Sequence, residues 1–144
     1  MTEAVLLAFN TETRFRAGKH SFLIESIPTE SIDLQALNKR LKDIPLFGEF
    51  QPIDSERTVD MDNVCLKIEA VYIFDDLLMG TIIPYGPKGQ VLQDIIDTGQ
   101  SVKLTMRAIK EYAKVPMVDR PGYEDVVVKE VTEIIAFDLY LYMQ

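Results

Sequence analysis

Residues 64–85, VCLKIEAVYIFDDLLMGTIIPY, decide how the chain is built. Val64, Leu66, Ile68, Ala70, Tyr72 and Phe74 alternate with Cys65, Lys67, Glu69, Val71 and Ile73, the period of two by which a strand sends successive side chains to opposite faces. Only Asp75 and Asp76 separate this run from residues 77–85, so the two runs are expected to fold back as an antiparallel hairpin with the acidic pair at its tip. Gly80 in the second run predicts a bulge or a close approach of another group. Cys65, inside the clearest strand pattern, reads as a small core hydrophobe whose thiol is inert.

Toward the N-terminus, residues 3–9 and 21–27 are short apolar runs that read as strands, separated by TETRFRAGKH with Gly18 in the turn. Over residues 31–43, Ile32, Leu34, Leu37 and Leu41 recur at helical spacing, with Ser31 as the expected cap and Pro45 as the stop. GEFQPIDSERTVDMD, residues 48–62, is polar and holds Pro52, and predicts a long loop. Toward the C-terminus, GPKG leads into a second helix with Val91, Leu92, Ile95 and Ile96 on one face and Gly99 as its end. Residues 101–113 read as a strand with Leu104 and Met106 on one side and Thr105 and Arg107 on the other. A turn-rich excursion, residues 114–125, precedes strands at 126–128 and 131–142. In the last of these Phe137, Leu139 and Leu141 share one face, and Asp138, Tyr140 and Tyr142 offer the other as a contact surface. The pattern predicts one α+β domain over residues 1–144, a mainly antiparallel curved sheet or partly closed barrel with two helices.

Composition agrees with such a domain. The 144 residues are 47% hydrophobic and 26% charged, far from the composition of disordered chains. A chain of this length buries roughly 70% of its unfolded surface and folds without cross-links. One Cys excludes an internal disulfide, and with one His it excludes the usual Cys/His zinc sites. Fifteen Lys+Arg against 23 Asp+Glu leave a charge of −8, which disfavours nucleic acid as a partner. No run is long and apolar enough for a membrane span, and the N-terminus has no export signal pattern, so no membrane partner and a cytoplasmic origin are expected.

Generic catalytic patterns are thin. Any Ser-His-Asp or Cys-His arrangement has to use His20, which reads more simply as a structural residue at a strand entrance. Asp75-Asp76 and Asp60-Met61-Asp62 lack the ligand spacing of a calcium loop and read as solvated turns, so no metal is expected. Residues 86–89, GPKG, lack the full phosphate-loop pattern and read as a tight turn, and no cofactor is expected.

The order of motifs is more specific. Leu46-Phe47-Gly48-Glu49-Phe50, the long strand to Asp75-Asp76, Gly80, Pro87-Lys88-Gly89, the helix to Gly99 and Leu104-Thr105-Met106-Arg107 follow one another. This succession resembles the phage prohead (head maturation) proteases of the T-even type, whose fold is similar to the herpesvirus assemblins. The resemblance covers roughly residues 32–142 and implies a shared shell. The family runs G-E-L-x-H-P, then a strand hairpin and a helix, then G-x-S-S-R-G. Here Gln51 or Pro52 stands where the catalytic His is expected, and Thr105 or Met106 where the nucleophilic Ser is expected. An amide is no general base, and a threonine hydroxyl without one is a weak nucleophile. Arg107 remains, but charge stabilisation alone has little to act on.

The resemblance therefore implies a catalytically degenerate relative, not an enzyme: a structural or interaction protein of a phage particle with a remnant groove at Glu49, Gln51, Thr105 and Arg107. The implied partner is a capsid or other virion protein, with host cytoplasm as the place of assembly and the virion as the destination. Alternatives are a scaffold-core component or regulator of an active protease paralogue, an active protease using Thr105 with His20 as base, and an acidic host-directed inhibitor that mimics DNA. Homo-oligomerisation is left open by the sequence.

Overall fold

A computed structural model describes residues 2–16, 18–53 and 57–142. Among these residues the strands are β1 (Thr2–Ala8), β2 (Thr13–Arg16), β3 (Ser21–Glu25), β4 (Leu46–Glu49), β5 (Val64–Phe74), β6 (Leu77–Pro84), β7 (Val102–Pro116) and β8 (Glu124–Leu141). The α-helices are α1 (Leu34–Asp43) and α2 (Gly89–Thr98). The strands make one curled mixed sheet in the order β1-β6-β5-β4-β8-β3-β2, with β7 on the other edge of β8. Its hairpins are antiparallel as expected, but β3 and β4 both run parallel to β8. The α+β class and the half-barrel therefore stand, built on a sheet more mixed than the sequence pattern conveys.

The β5–β6 hairpin turns at Asp75 and Asp76, with Asp75 in left-handed backbone at φ 52°. The alternation of β5 does not survive along its whole length. The ladder skips Glu69, a bulge that turns the strand over, so Leu66 and Ile68 share the inner face with Val71 and Ile73 rather than with Ala70 and Tyr72. Phe74, counted with the inner set by simple alternation, is 64% exposed. Gly80 marks a close approach, since a methyl there would meet the Leu6 side chain. Leu6, Leu66, Ile68, Leu78, Leu92, Phe137 and Leu139 are fully buried inside the curl, each contributing about 1.5–3 kcal/mol of apolar transfer.

A segment expected as turn is a strand, and another strand takes in Gly48 and Glu49 from the start of the expected loop. Residues 13–16 form β2 against β3, and residues 46–49 form β4 between β5 and β8. β4 is only the four residues LFGE, too short for periodicity to show it. Gly48 is what lets it in, because a Cβ there would land on the Phe137 carbonyl oxygen and the Leu66 side chain. β8 is also one continuous strand rather than two. Its ladder with β7 skips residues 129, 132 and 135, and these bulges let it bend while pairing continues from Leu141 to Glu124. β7 reaches Pro116, which shortens the expected excursion to residues 117–123.

Helix α1 begins later than the spacing suggests. Ser31 lies in a single 3₁₀ turn, and Asp33 is the cap, accepting from the Ala36 N–H at 3.1 Å. The helix fills a gap in the sheet. β4 covers the edge of β5 only as far as Ile68, and beyond it Asn38 takes over, its Nδ2 donating to the Val71 carbonyl and its Oδ1 accepting from the Val71 N–H. The amide does there what a neighbouring backbone would. Arg40 ties the same helix to β8 by donating to the Ile134 carbonyl at 2.9 Å. Replacing Asn38→Leu keeps the bulk and strands both Val71 groups, so stability should fall by about 1–3 kcal/mol in urea unfolding.

Candidate functional site

The outer face of β7 and β8 faces water in a simple half-barrel, but here residues 50–53 and 57–63 lie over it. Arg107 and Asp138 lie beneath them, 8% and 3% exposed, with Glu49 at the end of β4 equally hidden at 4%. Three charges buried together are costly unless each is fully bonded. Arg107 Nε and Nη2 donate to the two carboxylate oxygens of Asp138 at 3.0 and 2.8 Å, a planar fork on a planar acceptor. Nη2 also donates to Glu49 at 2.7 Å, and Nη1 to the Thr58 carbonyl at 3.1 Å.

The carboxylates are in turn held by backbone. Asp138 accepts from the Glu49 N–H, while Glu49 accepts from the Asp60 N–H and from Asn63 Nδ2. Burial works to raise the Glu49 carboxyl, but the bonds from Arg107, Asp60 and Asn63 outweigh it and hold it below its ordinary 4.5. Burial likewise works to lower the Arg107 guanidinium, and Asp138 and Glu49 together raise it. Both ends of the cluster are thus kept charged.

Beside this cluster is a cleft of about 490 Å³ lined by Glu49, Phe50, Gln51, Pro52, Ile53, Thr58, Asp60, Asn63, Lys88 and Arg107. Three of the residues expected in a remnant groove, Glu49, Gln51 and Arg107, therefore meet. Gln51 is fastened to β8. Its N–H donates to the Leu139 carbonyl at 2.8 Å, its Oε1 accepts from the Leu141 N–H, and its backbone is left-handed at φ 46°. Pro52 follows it into the lining, its carbonyl accepting from the Tyr140 hydroxyl at 3.3 Å.

Thr105 shares the outer face of β7 with Arg107 but is exposed and lies outside this lining. It borders a second cavity of about 360 Å³ along the β7 edge, with residues 6–8 of β1, Ile27 and Met106. Met106 itself is a core residue. His20 is remote from both, because its carbonyl accepts from the Glu124 N–H at the start of β8, whereas Thr105 pairs with Asp138 near its end. Fourteen residues of strand at ~3.3 Å each lie between those two points. The imidazole packs edge-on against Tyr123 at 4.7 Å.

The remaining candidates have local duties. Asp60 caps a 3₁₀ turn by accepting from the Asp62 N–H, and Asp76 accepts at its carbonyl from the Phe9 N–H. Residues 86–89 form a tight turn in which the Gly89 N–H donates to Gly86 and the Lys88 N–H to Val64. Cys65 is fully buried, and burial, with the Asp138 charge adding to it, pushes its thiol up to about 12. Asp138 and Tyr140, expected on a free contact face, are instead covered by residues 50–53 and 57–63, and only Tyr142 of that face stays exposed. Sequence reasoning passed over Asp138, Asn63 and Lys88 as site residues. A charged residue within the apolar run 134–141 was the available signal for Asp138.

Neither a protein-family profile nor a curated protein matches the chain. In three dimensions it is similar to the capsid assembly protease of bacteriophage T4, with a TM-score of 0.63 and 16% sequence identity over 95% of this chain and 78% of that one. A likeness at that identity speaks for the fold alone, which is like that of the capsid assembly protease.

Arg107→Met leaves two carboxylates buried without their cation and should cost about 3–5 kcal/mol in urea unfolding. Adding Glu49→Gln and Asp138→Asn to that variant should recover part of the loss, since the stranded charges are then gone. Glu49 also sets a pH dependence. A carboxyl depressed on folding contributes stability above its ordinary 4.5, and that contribution is lost as pH falls below this value through the lower folded one. Urea midpoints measured across that window should drop in the native chain and drop less in Glu49→Gln.

Proposed function

We propose that this chain is a non-catalytic structural or assembly protein of a phage particle, built on the shell of a capsid assembly protease. One observation carries the reading: the Arg107 guanidinium is committed to Asp138, Glu49 and the Thr58 carbonyl. An arginine so engaged serves as a clasp for the segment at Thr58 rather than as a donor waiting for a developing negative charge. Two further features support it. The position after Gly48-Glu49-Phe50 holds an amide bonded to β8, and the lone imidazole sits at the opposite end of β8 from Thr105. General acid–base chemistry needs a titrating group within hydrogen-bond reach of the reacting atom.

On this reading the shell is used for contact. Its partner is a capsid or other virion protein, or an active protease whose assembly it regulates, met in the host cytoplasm and retained in the particle. Recovering the tagged chain from its native source and identifying what comes with it tests the reading. Capsid, scaffold or protease subunits are the expected companions, and the chain should leave an unfolded protein substrate intact in the same preparations. Cleavage of that substrate, abolished by Thr105→Ala, overturns the reading in favour of an enzyme. Recovery of a host DNA-binding protein alone overturns it in favour of an inhibitor.

A further inference from the structure

Next to the cleft, on either side of the turn that joins β6 to α2, two lysines lie on aromatic rings: Lys67 with Phe47 on the outer side of β4 and β5, and Lys88 where α2 begins. Phe47 and Tyr85 stack with centroids 5.5 Å apart and planes within 16° of parallel. Lys67 is the ladder partner of Phe47 and holds its Nζ 5.6 Å from the centre of the Tyr85 ring. Lys88, at the start of α2, holds its Nζ 5.9 Å from the centre of the Phe50 ring. Phe50 and Lys88 also line the cleft, and Lys88 follows Tyr85 by three residues in the tight turn, which brings the two contacts to the same end of the sheet.

In a chain with 23 carboxylates against 15 cations, an ammonium near a carboxylate is the common case. Among the described residues, the ion pairs are those of Arg107 with Glu49 and Asp138 and of Lys114 with Glu124, and neither Lys67 nor Lys88 takes part in one. Both rest on ring faces instead. At exposed positions such a contact is weak, and an ammonium gains more from a charge-assisted bond to a carboxylate. Tyr85 is 44% exposed, which leaves the stack open to an apolar side chain from outside. The cleft itself is a poorer place for an anion, because Asp60 lines it and Arg107 is already neutralised. Negative charge is therefore favoured on the strip, not in the depth of the cleft.

We infer that this strip docks an extended acidic peptide segment of a partner protein. Carboxylates of the segment take Lys67 and Lys88, an apolar side chain between them lies on the Phe47–Tyr85 stack, and the segment continues along the cleft mouth past Phe50. The inference rests on the binding role proposed above, and it names the chemistry of the partner.

Fluorescence polarisation with the full chain tests it, using a labelled peptide in which glutamates alternate with leucine and phenylalanine, its glutamine counterpart, and an oligothymidylate of similar length. The glutamate peptide should bind, and binding should weaken at least about tenfold for the glutamine peptide and for Lys67→Ala/Lys88→Ala. Lys88 is exposed and Lys67 half-buried, and a native circular-dichroism spectrum of the double variant confirms that it folds. A Lys67→Glu/Lys88→Glu variant should instead prefer the same peptide with lysines in place of glutamates. Equal binding of the glutamate and glutamine peptides, no effect of the lysine variants, or preference for the oligothymidylate would overturn the assignment. Mass spectrometry of the recovered peptide separates the two readings. A cleaved peptide sinks the non-catalytic role and leaves the strip, whereas an intact peptide that never binds sinks the strip alone.

Discussion

A guanidinium under a loop holds two parts of this molecule together. Glu49 ends β4, Arg107 sits in β7, Asp138 lies in β8, and the Thr58 carbonyl belongs to the segment that returns over them. Taking these charges out of water is expensive, and the cost is offset only because nearly every oxygen and N–H in the cluster meets a partner. The geometry is consequently narrow. β4 has to lie close to β8, which the absence of a side chain at Gly48 permits, and the return segment has to bring Thr58 and Asp60 down to the same point. The cleft is a by-product of that closure, since its walls are the segment that the cluster fastens and the strand ends that it fastens to.

This accounts for a fold that resembles a capsid assembly protease while its conspicuous polar centre looks structural. Apolar packing inside the curl, from Leu6 to Leu139, supplies most of the stability and does not care what the outer face does. The outer face is free to be reworked. In this chain it holds a charge cluster satisfied from within, and beside it two lysines satisfied only by ring faces. The first arrangement is suited to holding a shape, and the second leaves attraction over for another molecule.

Much of this was legible along the chain, for local reasons. The hairpin at Asp75-Asp76, the second helix and its Gly99 end, and the strand that carries Arg107 each follow from spacing and turn chemistry within a few residues. Glu49, Gln51 and Arg107 were singled out together and do meet. Thr105 joins them only through the resemblance, which puts it or Met106 at the nucleophile position, and it opens instead on the other cavity, where the edge of β7 approaches β1. β4 was hidden because four residues around a glycine carry no periodicity, and the bulge at Glu69 was hidden because its effect is to invalidate periodicity.

Local order in this protein is thus a property of its sequence: which stretches are strands or helices, where they turn, and which residues are apolar enough to be inside. What the tertiary structure alone decides is the fate of the polar residues. Asp138 reads as one more outward-facing residue of an alternating strand, and it is buried only because residues 50–53 and 57–63, joined to it through no local contact, lie across it. Burial of a charge depends on what lies above it, and in a curled sheet that neighbour comes from 75 to 88 residues away in the chain, a distance over which side-chain period carries no information.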